Sequence, residues 1–269
     1  MPKINYNDVK IIKPKKTKRF VLLKAILALL IFVGFTYFFA DAFSNLLTVG
    51  DFSLSIFENS NTIKYKPKPL YALTLGKYNT IEEAEEVANV AGSWGASGYV
   101  TQISNVYYVL GSIYATKEDS EIVRSNLQLT NYNTQTITLE FSKVEFNVET
   151  ITSKHKKEVL NTLNYLFEIY NQVYNISIKI DKGEITSIAG SSFLNTLKSQ
   201  VKIKNIDLNK INLSYNNKQL SKICNCLTEI EESLNICVNQ LLTNDYINRN
   251  VKYCLCEIVF LELNLLNNL

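Results

Sequence analysis

The apolar pattern changes character along the chain. From Phe20 to Ala40 it reads FVLLKAILALLIFVGFTYFFA, 21 residues with one charge, Lys24, near the start. At 1.5 Å per residue such a helix spans about 30 Å, the hydrocarbon thickness of a bilayer. This pattern predicts a transmembrane helix over 20–40. Lys24 would reach the headgroups along its methylene stem. Tyr37, Phe38 and Phe39 suit the far interface. Two other readings stay open. Ala40-Asp41-Ala42 has the small-x-small form of a signal-peptide cleavage site. The run could also be a buried helix, which its unbroken apolar character and basic preface disfavour.

Residues 41–70 read as a linker. Pro67 and Pro69 stiffen its end and disfavour helix. Phe52, Leu54 and Ile56 alternate, as a short strand or a membrane-hugging piece would.

From 71 the apolar residues alternate, and the segment repeats itself at an offset of 36 residues. Tyr71, Tyr78, Thr80, Glu82, Glu85 and Val87 recur as Tyr107, Tyr114, Thr116, Glu118, Glu121 and Val123. Each copy is a β-type run, a turn and a helix start. Thr80 with Glu83, and Thr116 with Asp119, have capping-box spacing. Acids in each first turn suit the helix dipole. Gly95 and Gly98 end the first helix. YVTQIS over 99–104, VYYVL over 106–110 and TITLEF over 136–141 complete the order β-α-β-β-α-β. Two such halves predict a four-stranded antiparallel sheet with both helices on one face and the other face open. Alternation puts Tyr107 and Tyr108 on opposite sides without saying which faces the helices.

After 153 the apolar period becomes three and four. Val159, Leu160, Leu163, Leu166, Phe167, Tyr170 and Val173 form one stripe, and Ile223, Leu227, Ile230, Leu234 and Val238 another. Helices are expected over 154–180, 184–204, 217–243 and 245–267, packed as an antiparallel four-helix bundle over 153–269. The last segment is apolar nearly all round. It is expected to be the most buried helix, or to meet the bilayer or a partner. The expected fold class is therefore α+β: an N-terminal transmembrane helix, a ferredoxin-like βαββαβ unit over 71–145 and a C-terminal α-helical bundle.

Charge orients this plan. The net charge of +3 combines a basic tail over 1–19, seven Lys and Arg against one Asp, with a net −3 over the rest. The positive tail predicts a cytoplasmic N-terminus and an extracytoplasmic C-terminus. The acidic balance of the remainder argues against nucleic acid as a partner.

The residue types needed for catalysis are sparse. His155, the one histidine, lies in SKHKKE at a helix start and reads as a solvated surface residue. Glu82, Glu83, Glu85 and Glu86 read as helix-start acids, not as an acid–base pair. The five cysteines, Cys224, Cys226, Cys237, Cys254 and Cys256, all fall in helical segments. Residues two apart on a helix point about 200° from each other, so neither C-x-C pair chelates a metal well. They read as small buried apolar residues, with one bridge between the third and fourth bundle helices left open. No metal, cofactor or enzymatic activity is expected.

Residues 71–141 resemble the SPOR domain, a bacterial peptidoglycan-binding module. The carrying residues are Leu73-Thr74-Leu75-Gly76-Lys77-Tyr78, the acidic helix TIEEAEEVANV, Tyr107-Tyr108-Val109-Leu110 and YATKEDSEIV. The resemblance implies a single-pass membrane protein of the bacterial cell membrane with this unit outside. It also implies binding to glycan strands stripped of stem peptides, at the septum or spore envelope, in cell division or sporulation. The implied glycan-binding positions are Thr74, Lys77, Gln102 and Tyr107. The implied partners are peptidoglycan glycan and the lipid bilayer, with a protein partner for the bundle. The alternative is a membrane-tethered scaffold whose SPOR-like unit no longer binds glycan.

Overall fold

In the computed structural model, which describes residues 62–127, 132–149, 151–243 and 246–269, each copy of the repeat folds as a strand followed by a helix. Strand β2 (Leu70–Tyr78) leads into helix α1 (Ile81–Ser93), and β4 (Val106–Tyr114) into α2 (Lys117–Leu127). The Thr80 hydroxyl accepts from the Glu83 amide at 3.3 Å. Thr116 accepts from the Asp119 amide at 3.1 Å and donates to its carboxylate at 2.6 Å. Both helices therefore begin with orphan N–H groups satisfied by side chains. Between the copies, β3 (Tyr99–Ile103) turns into β4 through Ser104 and Asn105, with φ of 50° and 64°. Two consecutive left-handed residues are what a tight two-residue hairpin demands.

Strand β5 (Gln135–Leu139) completes an antiparallel sheet of order β3-β4-β2-β5. A separate two-stranded ribbon pairs β1 (Thr62–Tyr65) with β6 (Val144–Asn147). The ribbon was not legible as a pair. Residues 62–65 fall inside the expected linker over 41–70, and four residues show too little alternation to announce a strand.

One sheet face carries α1 and α2. Leu75 and Val109 meet Ala84, Ala88 and Ala91 of α1 in a fully enclosed cluster. Alanine at these positions lets the helix lie close to the sheet. Gly98, at φ +61°, passes against the Ala88 carbonyl, where a Cβ would collide.

Residues 153–269 form four helices: α3 (Ser153–Asp181), α4 (Ser187–Tyr215), α5 (Lys218–Thr243) and α6 (Ile247–Asn268). Helix α4 runs eleven residues past its expected end at 204, to a left-handed Asn216. Its apolar residues lie both inside (Leu208, Ile211) and outside (Ile203, Ile206, Leu213), which blurs the stripe that marks a helix.

The bundle is not a separate body beside an open sheet. Helix α6 lies on the face opposite α1 and α2. There Tyr99 stacks on Phe260 at 5.4 Å and meets Tyr253 edge-on at 5.1 Å. Tyr114 meets Tyr174 of α3 at 6.3 Å. Lys252 donates to the Gly95 carbonyl and pairs with Asp181, both at 2.9 Å. The sheet is thus the middle layer, and the expectation of a wholly open second face is corrected.

The expected fold class is corrected as well. The described chain is α+β with a helical C-terminal part. Among the described residues no helix is long and apolar enough to cross a membrane. Residues 20–40, to which the pattern assigns the transmembrane helix, lie outside the described residues, as does the alternation over 52–56. Helix α6 is apolar nearly all round because it is packed against both sheet and bundle. It carries Arg249, Lys252, Glu257 and Glu262, which a bilayer would not accommodate.

Glu262 is the costliest group in this core. It is 2% exposed, and its Oε1 has no hydrogen-bond partner. Burial pushes its carboxyl up to about 8. The folded chain therefore keeps this proton between its ordinary value of 4.5 and about 8, while the unfolded chain releases it. Stability falls as pH rises through that window and levels off above it. Thermal unfolding followed by circular dichroism should show Tm declining from pH ~5 to ~8.5. The Glu262→Gln variant should flatten that decline and melt higher at pH ~8.5, by roughly 5 °C or more.

Candidate functional site

The pairing register assigns each expected glycan-contacting residue to a face. Tyr99 pairs with Leu110, Thr101 with Tyr108, and Gln102 with Tyr107. On the other side of β4, Thr74 pairs with Leu110, Lys77 with Tyr108, and Tyr78 with Tyr107. Directly paired residues share a face, so these pairs define cross-strand rows.

Tyr107 and Tyr78 pack against the α1 cluster. Gln102, the partner of Tyr107, belongs to that side too and is exposed. Thr74 and Lys77 belong to the opposite face. Thr74 is fully enclosed, and its hydroxyl donates to the Gln135 carbonyl at 3.2 Å. Lys77 is exposed. The four expected residues therefore do not converge: one is sealed, one lies on the open face and two lie on the helix side.

The residue that sequence reasoning left undecided is Tyr108. Pairing with Lys77 and Thr101 places it on the face turned away from α1 and α2. Its row is Thr101–Tyr108–Lys77, with Ile103 at the next position outward. The neighbouring row, Tyr99–Leu110–Thr74, is roofed by Tyr253 and Phe260. Helix α6 thus covers the half of the face nearest the start of β3 and leaves the hairpin end half-open. That strip presents an aromatic ring between a hydroxyl and an ammonium group. The apolar side of a pyranose ring can lie on such a ring while the polar groups read its hydroxyls. The signal for Tyr108 was register, which the compensating irregularities at Leu73–Thr74 and Thr74–Gly76 made impossible to count from residue spacing.

The other candidate groups resolve differently. His155 is half-buried in the first turn of α3, its Nδ1 3.0 Å from the Tyr215 hydroxyl. It lines a groove of about 480 Å³ between α3 and α4, with Lys154, Glu158, Lys204, Asp207 and Lys210. Lys210 and Asp207 neutralise each other there at 2.8 Å. Glu82, Glu83, Glu85 and Glu86 line the exposed side of α1.

All five cysteines are buried free thiols. Cys256 lies under the sheet, its thiol 3.6 Å from the Ser97 hydroxyl, and burial pushes it up to about 12. Contact with Cys254 and burial together push Cys237 well above the ordinary thiol range. Cys237 and Cys254 sit side by side between α5 and α6, where the third-to-fourth-helix bridge was left open. Among the described residues, no group of three or more His, Cys, Asp or Glu could hold a metal ion.

No family model matches the chain, and no curated protein matches it. Among solved structures it is similar to the peptidoglycan binding domain of the B. subtilis cell wall lytic enzyme CwlC. The identity is 16%, the match covers 28% of this chain and 96% of that one, and the TM-score is 0.26.

Buried protonated thiols are poor nucleophiles. The native chain at pH ~8 should react with an aromatic disulfide reagent at a small fraction of the rate seen in denaturant, where all five thiols should titrate. Rapid native modification of even two thiols would contradict the burial described.

Proposed function

We propose that this chain is a non-enzymatic binding protein that holds peptidoglycan glycan strands at the hairpin end of its sheet. The observation carrying this reading is the Thr101–Tyr108–Lys77 row, left half-open beside a face otherwise roofed by α6. A flat aromatic flanked by one hydroxyl and one ammonium suits a sugar chain better than an apolar peptide. Stripping the stem peptides would remove the bulk that α6 excludes, so denuded strands are the preferred ligand. Such strands arise where the wall is remodelled, and the setting proposed is the envelope outside the cytoplasm, in cell division or sporulation. The outer surfaces of the bundle remain for a protein partner.

A second reading has its own observation. Tyr99 is clamped by Tyr253 and Phe260, so half of the face that would meet a glycan is used for internal packing. On this reading the sheet is a platform for the bundle, and the chain is a scaffold.

Retention of the full chain on purified peptidoglycan, with and without amidase pretreatment, separates them. Glycan binding predicts stronger retention after amidase treatment. Tyr108→Ala should weaken retention roughly three- to tenfold, as loss of one aromatic contact does. Retention on neither preparation would sink the first reading and leave the second.

A further inference from the structure

Helices α5 and α6 form a hairpin, and its register brings two cysteines to one level. Cys237 lies six residues before the end of α5, and Cys254 lies seven residues after the start of α6. Antiparallel helices joined by a short turn place such positions opposite each other. The side-chain contacts agree. The Cys237 thiol is 3.6 Å from the carbonyl of Asn250, one turn before Cys254 on α6. The Cys254 sulfur is 3.5 Å from the hydroxyl of Ser233, one turn before Cys237 on α5. Each sulfur thus reaches the residue one turn ahead of the other cysteine, so the two thiols face each other across the seam. Their mutual hydrogen bond, with burial, holds Cys237 well above the ordinary thiol range.

The other cysteines turn elsewhere. Cys256 faces the Ser97 hydroxyl at 3.6 Å. Cys226 is eleven residues from Cys237, about 16 Å along α5, and Cys224 is further still. Among the described residues no third ligand joins the pair in a group that could hold a metal. Two thiols in contact without such a ligand have oxidation to a disulfide as their shared chemistry.

We infer that Cys237 and Cys254 are a redox-closed staple, which in an oxidising compartment forms one disulfide locking α5 to α6. The dithiol is the form described above. The oxidant is a disulfide, either of a small thiol or of a thiol oxidoreductase. One cysteine thiolate attacks it and expels the first thiol, and the second cysteine then expels the other. Two protein S–H bonds become one S–S bond, and the attacked disulfide leaves as two thiols carrying those protons. Closure leaves no polar group stranded. Ser233 still donates to Glu257 at 2.6 Å, and the Asn250 carbonyl stays in the helix ladder of α6. Cys237 and Cys254 are 1% and 2% exposed, so the exchange belongs to folding or to local opening of the hairpin. Once closed, the bond fixes the helix that carries Tyr253 and Phe260 onto the sheet.

The test refolds the reduced full chain in mixtures of reduced and oxidised glutathione. Free thiols are then alkylated in denaturant and counted by mass spectrometry. In the oxidising mixtures two of the five thiols should escape alkylation, and fragment spectra should place the link at Cys237–Cys254. Tm should rise by roughly 5–10 °C over the reduced chain. Cys237→Ala and Cys254→Ala should each lose the link and the Tm difference, whereas Cys226→Ala and Cys256→Ala should keep both. Reduced chain that is already folded should close far more slowly, and mild denaturant should speed it. Five alkylated thiols in wild type refolded in the most oxidising mixture would overturn the staple, as would a link at any other pair.

Discussion

Tyr99 is where the two halves of this chain become one. It sits at the start of β3, on the sheet face turned from α1 and α2, and is held between Phe260 and Tyr253 of α6. Ser97 against Cys256, Gly95 against Lys252 and Tyr114 against Tyr174 extend the same seam. Burial of several aromatic rings along one seam is worth more than the isolated polar contacts beside it. The seam makes the sheet a middle layer whose central strands, β2 and β4, are the most deeply buried. It also decides which part of the sheet remains for a ligand.

That division follows from geometry. Helix α6 enters near Gly92 and Gly95 and crosses over the Tyr99–Leu110 row. Successive rows on one face are two residues apart along a strand. The Thr101–Tyr108–Lys77 row is therefore the first one beyond the roof. Thr74, in the covered row, spends its hydroxyl on the Gln135 carbonyl and has nothing left to offer a ligand. The same helix carries the unpartnered Oε1 of Glu262 into the core, and the buried Tyr170 hydroxyl of α3 is unpartnered too. A core that accepts such a cost is held together by its apolar seams.

The α1 side obeys a different constraint. Small residues at Ala84, Ala88 and Ala91 bring the helix down onto Leu75 and Val109. The larger side chains at its margin, Tyr78, Tyr132 and Trp94, are pushed to the rim, where each keeps part of its ring in water. Close helix–sheet packing and an aromatic rim are two results of the same choice of small core residues.

Local order was legible in the sequence because its causes are local. The repeat, the Thr80 and Thr116 caps, the Asn105 turn and the apolar stripes of α3 and α5 all depend on residues within a few positions of one another. They predicted strands, helices and their order. The ends of α4 were less legible, since Ile203, Ile206 and Leu213 face outward and mask its inner stripe. What no local signal contained was the partner of each surface. Only the tertiary structure placed α6 over Tyr99, sealed Thr74, sent Gln102 and Tyr107 to the helix side and left Tyr108 on the open one. The reason is physical. A one-residue irregularity in a strand exchanges its faces, and the helix that covers a sheet is chosen by contacts more than a hundred residues away.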